Sequence, residues 1–284
     1  MPSLLDIRRR IRSVKNTQQL TKAMKTVSAA KLRRAQERVV SARPYANQLR
    51  HVLSGLAGGI ESVIHPLLDV RPERRILLLI VTADRGLCGG FNSNLTKAAQ
   101  NFLRQQQAES IQLYTAGRKG RDFFRRRNAA IVGEYTNFFS RLDMAHARDI
   151  SHQLIDSYSR GEVDAVYITY NEFKSVIQQR IVVEKLLPLG RPDEKGPASS
   201  GDYIFEQPPQ EILNRLLPRY VEIEVYRALL ESAAAEHGAR MAAMDTASRN
   251  AGEMIETLTL NMNRIRQAAI TREIIEVVSG AGAQ

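Results

Sequence analysis

The apolar residues near the start of the chain recur every three or four positions along a long stretch of polar and basic residues. This spacing predicts an amphipathic helix that presents one apolar stripe to a partner helix. The period shifts near Gln18, and this shift predicts a local change in how the helix winds around its partner. The stripe comprises Leu4, Ile7, Ile11 and Val14 before the shift and Leu20, Ala23, Val27 and Ala30 after it.

The closing segment, from about residue 219 to residue 279, contains no proline and repeats its apolar positions in alternating steps of four and three. That pattern predicts a coiled-coil seam of more than five heptads. Small residues within the seam let two helices approach closely. The seam comprises Leu230, Ala234, His237, Met241, Met244, Ser248, Ala251, Ile255, Leu258, Met262, Ile265 and Ala269.

The middle of the chain has a different pattern, in which short apolar runs alternate with helical periods. Such alternation predicts a mostly parallel sheet covered by helices, a Rossmann-like α/β domain. We therefore expect an α/β fold with long terminal helices, divided into 1–58, 74–205 and 208–284, whose end segments form an antiparallel two-helix coiled coil. Strands are predicted at 76–82, 111–115, 130–134 and 163–170, a further strand within 176–189 pairs with 163–170, and helices are predicted at 93–107, 118–127 and 142–160.

The predicted helices are longer than the predicted central body. About 61 helical residues extend about 90 Å, whereas a body of about 145 residues is roughly 35–40 Å across. The N-terminal helix, about 60 Å long, is the shorter one, so the end of the C-terminal helix should project alone. Exposed apolar surface there requires another protein to surround it. The apolar residues of this end are Ile265, Ile270, Ile274, Ile275, Val277 and Val278.

The formal net charge of +11 lies entirely on the first 50 residues, which contain 13 Lys and Arg but 2 Asp and Glu. A basic helix of this kind indicates an acidic partner. A solvated face and a nucleic-acid-binding coiled coil are the alternatives, although no aromatic residue precedes Tyr45 to stack on bases. No apolar run is long enough to span a bilayer, and the single cysteine, Cys88, excludes an internal disulfide.

The residues at 84–92 form a glycine-rich turn after the first predicted strand, where an α/β fold would hold a phosphate. The turn lacks the spacing of both phosphate-binding motifs, which favours a tight turn with Asn92 or Ser93 capping the next helix. The residues at 117–120 are interpreted in the same way. Cys88 has no histidine nearby in sequence, and His146 and His152 do not share a helical face. We expect no catalytic residue, metal site or cofactor, and a nucleotide-binding enzyme remains the weaker alternative.

Both ends of the chain resemble the γ subunit of F-type ATP synthases. The resemblance lies in Asp-Ile-Arg-Arg-Arg-Ile-Arg-Ser-Val-Lys-Asn-Thr at 6–17 and Lys-Ala-Met-Lys-Thr-Val-Ser-Ala-Ala-Lys at 22–31. It continues in Asn-Arg-Ile-Arg-Gln-Ala-Ala-Ile-Thr-Arg-Glu at 263–273, Glu-Val-Val-Ser-Gly-Ala at 276–281 and Asp-Arg-Gly-Leu-Cys-Gly-Gly-Phe-Asn at 84–92.

The resemblance implies a non-catalytic rotor that couples proton flow through a c-ring to ATP synthesis by turning inside an α3β3 hexamer. Its α/β domain would rest on the c-ring and contact ε. Arg266 and Gln267 would contact the β subunit, as would Met24 with Lys22 and Lys25. Tyr203, Phe205 and Glu206 would form the foot on the c-ring.

The resemblance also implies where the protein works and how it is regulated. Because the sequence begins at the family's first helix, we expect a bacterial protein, peripheral on the cytoplasmic side of the cell inner membrane. Chloroplast members of this family carry an inserted pair of regulatory cysteines, whereas this chain has Cys88 alone. Thiol control is therefore not expected.

Overall fold

The structure, a computed structural model, describes residues 3–58, 65–176, 178–189 and 208–281. The chain divides into two compact units. Met1–Ser28 and Arg240–Gln284 form the first, here called the coil unit, and Ala29–Ala239 form the second, here called the body. In chain order the elements are α1 (Leu4–Gly58), β1 (Arg75–Val81), α2 (Phe91–Gln105), β2 (Ser110–Ala116), α3 (Arg118–Arg125), β3 (Ile131–Tyr135), α4 (Met144–Ser159), β4 (Ala165–Phe173), β5 (Gln179–Leu187) and α5 (Pro209–Ala281), with short 3₁₀ helices at Pro66–Leu68 and Phe139–Arg141.

The terminal helices are long, with 55 residues in α1 and 73 in α5. Ser3 begins α1 by accepting a hydrogen bond from the Asp6 amide at 3.2 Å, while the Asp6 carboxylate accepts one from the Ser3 amide at 3.3 Å. This reciprocal arrangement satisfies donors that an isolated helix end leaves unpaired. The seam pattern begins at about residue 219, and the closing segment is predicted to span 208–284. The helix α5 begins at Pro209, close to that bound, and continues through Pro218.

All five predicted strands are present, in the order β3-β2-β1-β4-β5. The pairs β3–β2, β2–β1 and β1–β4 are parallel. The predicted pairing of β5 with β4 is confirmed, and it is antiparallel. The predicted helices correspond to α2, α3 and α4. The Rossmann-like prediction is therefore confirmed as a mixed five-stranded sheet with covering helices.

The core of the body lies around β1, where every residue after Arg75 is buried. A strand with no polar alternation is expected when both faces of a parallel sheet are covered. One face packs against α2 and α3 through a cluster of Leu78, Ile80, Leu95, Ala99, Leu113 and Phe124.

The helix α5 packs at the carboxyl ends of the central strands within the body. The Ser232 hydroxyl donates to the carbonyl of Val81, the last residue of β1, at 3.3 Å. The Glu231 carboxylate accepts from the amide of Phe173, the last residue of β4, at 3.0 Å. These two contacts explain why polar residues are buried on this stretch of α5.

The shift predicted in the α1 stripe near Gln18 is wrong. After Val14 the less exposed positions continue in steps of four, three, three and four through Gln18, Thr21, Met24 and Ser28, whereas Leu20 is 65% exposed and Val27 is 55% exposed. The hydroxyl of Thr21 donates to the Gln18 carbonyl at 3.0 Å and that of Ser28 donates to the Met24 carbonyl at 2.7 Å. Because each hydroxyl bonds to its own helix, these polar residues can occupy the seam.

The seam predicted for α5 is confirmed from Leu230 to Ile265, where every seam residue is buried or half-buried. Ala269, the last residue assigned to the seam, is instead exposed. The packed part of the seam therefore ends at Ile265.

Candidate contact surfaces

In the coil unit, α1 and α5 run antiparallel. The Gln18 side chain donates from Nε2 to the Ser248 carbonyl at 3.3 Å, and Lys25 Nζ lies 2.5 Å from Asp245 Oδ1. Residue numbers therefore fall along α5 as they rise along α1. Both helices rise equally per residue. Since α1 begins at Leu4, its start therefore lies opposite the stretch of α5 from about Met262 to Arg266.

The end of α5 beyond that stretch is uncovered. Every side chain that the structure describes from Arg266 to Val278 is exposed. The predicted apolar end is confirmed for five of its six residues, and Ile265 is instead half-buried. The exposed fractions are 48% for Ile270, 57% for Ile274, 58% for Ile275, 71% for Val277 and 66% for Val278. We call these five residues the apolar tip.

The residues expected to contact a β subunit lie at two places in the coil unit. Lys22 is exposed and Met24 is half-buried. Lys25 is already paired with Asp245 of α5, and the hydrogen bond from Lys25 holds the pKa of Asp245 below its ordinary value. Arg266 and Gln267 are both exposed on α5, just before the apolar tip.

The residues expected to form a foot, Tyr203, Phe205 and Glu206, lie outside the described residues. Their prediction rests on the resemblance alone.

The glycine-rich turn between β1 and α2 is held together by hydrogen bonds within the body. The side chain of Asn92 accepts from the Ala83 amide at 3.0 Å and donates to the buried Cys88 sulfur at 3.1 Å. Asn92 therefore does not cap α2, and neither does Ser93, because the N-cap of α2 is Gly90 without a side-chain cap. The capping prediction is wrong.

The glycines in the turn before α3 are explained by close packing within the body. Gly117 has a φ of +108°, and a Cβ there would lie 2.1 Å from the Thr82 carbonyl oxygen. The buried hydroxyl of Thr82 accepts from the Gly120 amide at 2.8 Å. The glycines at 117 and 120 therefore allow α3 to pack closely against the end of β1.

The two histidines considered as a pair have different partners. The ring of His146 lies 2.6 Å from Asp143, which caps α4, while His152 lies 3.4 Å from Glu222 of α5. No group of metal-ligating residues occurs among the described residues.

Within the same residues, no helix is long and apolar enough to cross a bilayer.

Sequence reasoning missed the buried charges of α5 that lie in the body. Glu222 is 6% exposed and pairs with Arg219 at 2.6 Å. Arg227 pairs with Glu224 at 2.6 Å and with Glu184 of β5 at 3.1 Å. Burial alone would lower the pKa of Arg227, but the neighbouring carboxylates raise it. The sequence did contain a signal for the contacts within α5, because Arg219 and Glu222, and likewise Glu224 and Arg227, are three residues apart and so lie on one face of a helix.

Known proteins resemble this chain along its whole length. The family described as ATP synthase matches residues 3–283. The ATP synthase gamma chain of Solibacter usitatus (strain Ellin6076) is 55% identical over 287 residues, covering 100% of this chain and 99% of that protein. The ATP synthase gamma chain of Pelotomaculum thermopropionicum (strain DSM 13744 / JCM 10971 / SI) is 52% identical over 283 residues, with coverage of 100% and 99%.

Chains in solved structures of ATP synthases have a similar fold. A chain in the cryo-EM structure of the central stalk and c-ring of the Tetrahymena thermophila mitochondrial ATP synthase has a TM-score of 0.62 and 26% identity, covering 81% of this chain and 99% of that one. A chain of the Euglena gracilis mitochondrial ATP synthase shares the fold at a TM-score of 0.70 and 17% identity, with coverage of 99% and 94%. These relatives give no support to a nucleic-acid-binding protein or a nucleotide-binding enzyme. The chain belongs to the ATP synthase gamma-chain family, whose members are non-catalytic subunits of the central stalk.

Proposed function

We propose that the chain is the rotating central stalk of a proton-translocating F1Fo ATP synthase. The coil unit enters an α3β3 hexamer, the body faces the c-ring and ε, and the complex lies on the cytoplasmic side of the cell inner membrane. The observation that carries this proposal is the apolar tip at the free end of α5. It is combined with the membership of the chain in the ATP synthase gamma-chain family. The five large aliphatic side chains of the tip are between 48% and 71% exposed.

The chemistry of the apolar tip favours a collar of other subunits as its surroundings. Burying apolar surface contributes about 25 cal/mol per Å², so a tip of this composition gains free energy in any closely fitting apolar sleeve. Arg266 and Gln267 lie just before the tip, and Thr271, Arg272 and Glu273 are exposed between its apolar residues. Apolar contacts have no fixed direction, so the aliphatic part of this surface can turn within a sleeve without one strongly preferred orientation.

The coil unit also differs around its circumference. The exposed surface of α1 carries basic residues at Arg8, Arg9, Arg10, Arg12 and Lys15, whereas the part of α5 at the same level exposes Glu253, Met254 and Glu256. Three identical partners around such a rod meet different surfaces at any instant. Each partner is then biased towards a different conformation and nucleotide affinity, and turning the rod exchanges the three states. The chain performs no chemistry itself.

The contacts with a β subunit would come from Met24 and Lys22 on α1 and from Arg266 and Gln267 on α5. Lys25 is different, because its ammonium already contacts Asp245. A contact between Lys25 and an acidic segment of β would exchange one carboxylate for another. Tyr203, Phe205 and Glu206 would provide the foot on the c-ring.

A triple substitution, Ile274→Ser with Ile275→Ser and Val278→Ser, tests the proposal without shortening α5. We expect less of the variant chain to copurify with α and β, and a several-fold loss of ATP-driven proton pumping in inverted membrane vesicles. The reason is that each serine removes an apolar side chain from the surface that the sleeve would cover. The side chains are exposed, so the fold of the chain itself should not change.

The matched control is Val70→Ser, which replaces an aliphatic side chain that is 76% exposed in the body. This control should leave copurification and pumping unchanged. Deleting residues 265–284 should give a larger loss than the triple substitution. If the triple variant assembled and pumped like the unmodified chain, the tip would not be held by a sleeve and the proposal would fail.

A further inference from the structure

The strand β3 lies at the edge of the sheet. It pairs with β2 on one side, and among the described residues no strand pairs with its other side. The Tyr135 carbonyl accepts from Gly117, directly after β2, at 2.7 Å. Because neighbouring residues of a strand direct their backbone groups to opposite sides, the amide and carbonyl of Glu134 point away from the sheet. An edge of this kind is a template for another strand.

The space beside this edge is open. A groove of about 450 Å³ is lined by Arg125, Asn128, Ala129, Ile131, Val132, Gly133 and Glu134. Val132 is 50% exposed in it. The strand has neither proline nor lysine, which are the residues that commonly protect sheet edges from pairing.

The groove borders a strongly basic segment. Residues 118–127 contain six Arg and Lys and one Asp. The single charge of β3, Glu134, is already neutralised by Arg125 at 2.9 Å and Arg121 at 3.8 Å. Arg126 and Arg127 are exposed, lie in sequence between the lining residues Arg125 and Asn128 without belonging to the lining, and have no carboxylate partner among the described residues. Arg127 lies over the Phe123 ring at 3.7 Å and donates to the Phe123 carbonyl at 3.2 Å. The segment that borders the groove therefore carries unbalanced positive charge.

We propose that the edge of β3 is a docking site for an acidic, extended segment of another protein, which adds to the sheet as a sixth strand. Backbone hydrogen bonds to β3 would supply the affinity, Val132 would pack against an aliphatic side chain, and Arg126 and Arg127 would select acidic residues. Strand addition of this kind is a general mode of peptide recognition. The site is separate from the apolar tip and from the contacts proposed for β, and its test uses this chain and a peptide alone, so its outcome does not depend on the proposed function.

The probe is a fluorescent hexapeptide of alternating glutamate and valine, about the length of β3. It is titrated against the full chain carried on a solubilising fusion partner, and binding is followed by fluorescence anisotropy. We expect saturable binding that weakens as salt rises, and slower hydrogen exchange at the Glu134 amide in the complex. A lysine–valine hexapeptide should not bind.

Two comparisons distinguish strand addition from attraction by charge alone. Two N-methylated peptides keep the charge of the probe, one methylated at its valines and the other at its glutamates. Each loses the hydrogen-bond donors along one edge of the strand, and the peptide that loses the donors facing β3 should bind at least tenfold more weakly. The variant Arg126→Glu with Arg127→Glu should weaken binding of the unmethylated peptide to a similar extent, whereas Arg104→Glu with Arg160→Glu, at two other exposed arginines of the body, should have little effect.

Tyrosine fluorescence during urea unfolding checks that both double variants fold. Equal binding of both methylated peptides and the unmethylated one would overturn strand addition and leave only a polyanion-attracting surface. The absence of saturable binding would overturn the proposal as well.

Discussion

The strand β1 of the body and the α1 seam of the coil unit bury their residues in opposite ways. From Ile76 to Val81 every side chain is apolar and at most 1% exposed. The α1 seam instead passes through Gln18, Thr21 and Ser28, and each of these hydrogen-bonds to a backbone carbonyl. The body is held by close apolar packing, whereas part of the coil-unit seam consists of polar side chains, of which Gln18 alone among these three bonds to the other helix.

This contrast suits the two units to different tasks. An apolar core gives the body a single rigid arrangement, because close packing tolerates few alternatives. A seam with small polar residues keeps the helix pair thin and limits its dependence on large interlocking side chains. Paired substitutions, one in each unit, test this contrast. All nine tyrosines lie between Tyr45 and Tyr226, so tyrosine fluorescence reports the body alone, while circular dichroism at 222 nm reports both units.

The largest difference should come from truncating apolar side chains. Ile80→Ala should lower the free energy of unfolding of the body by about 2–5 kcal/mol, since Ile80 is fully buried between strands. Its counterpart Val14→Ala, at a half-buried seam position, should change stability by less than about 1.5 kcal/mol. Both stability changes are measured by urea unfolding, with tyrosine fluorescence and circular dichroism as the two signals. Equal losses would mean that the coil unit depends on apolar packing as much as the body does.

The next difference concerns two buried threonines. Thr82→Val should destabilise the body by about 1–3 kcal/mol, because it leaves the Gly120 amide without its acceptor and puts a methyl group where a 2.8 Å hydrogen bond was. Thr21→Val should change the stability of the coil unit by less than about 0.5 kcal/mol, because the Thr21 hydroxyl bonds to a carbonyl of its own helix. Thermal melts of both variants at one protein concentration give the comparison. A large loss from Thr21→Val would show that its hydroxyl matters to the seam.

Much of the fold could be predicted from the sequence because its strongest patterns are local. The apolar run at 76–81 and the alternation of strand and helix patterns located all five strands. Lengths alone predicted an uncovered end of α5, and the apolar tip confirms it. These inferences depend on few contacts between distant residues.

The wrong predictions share a physical cause. The α1 stripe was assigned to the apolar Leu20 and Val27 because a polar residue's bond to its own helix cannot be seen in a hydrophobic pattern. Asn92 or Ser93 was expected to cap α2, although the partners of Asn92 are Ala83 and Cys88 and the N-cap is Gly90. The pairing of Lys25 with Asp245 joins residues 220 positions apart, and no local rule predicts such a contact.

The ion pair between Asp164 and Arg75 should make the stability of the body depend on pH. The Asp164 carboxylate accepts from Arg75 through the amide at 2.9 Å and the guanidinium at 2.7 Å and 3.2 Å, and these bonds hold the pKa of Asp164 below its ordinary value of 3.8. A carboxyl whose pKa is lowered on folding stabilises the protein above its unfolded pKa, and this stability is lost as pH falls through the folded pKa.

The variant Asp164→Asn should therefore destabilise the body by about 1–2 kcal/mol at pH 7. The difference between the variant and the unmodified chain should shrink below about pH 4. Urea midpoints from tyrosine fluorescence, measured from pH 7 to pH 3, test this. A difference that stayed constant over the whole range would show that the Asp164 charge is not responsible.

The smallest effect should come from the ion pair between Lys25 and Asp245 in the coil unit. The side chains are 47% and 36% exposed, so water and salt screen the pair. Lys25→Met should shift the thermal midpoint seen by circular dichroism by less than about 2 °C. The shift should vanish in 1 M salt, where the Debye screening length for exposed charges is about 3 Å. Lys22→Met, at an exposed lysine on the same helix, is the control and should cause no shift. A larger effect that persisted in high salt would make Lys25 part of the seam, and would remove the weak polar contact that distinguishes the coil unit from the body.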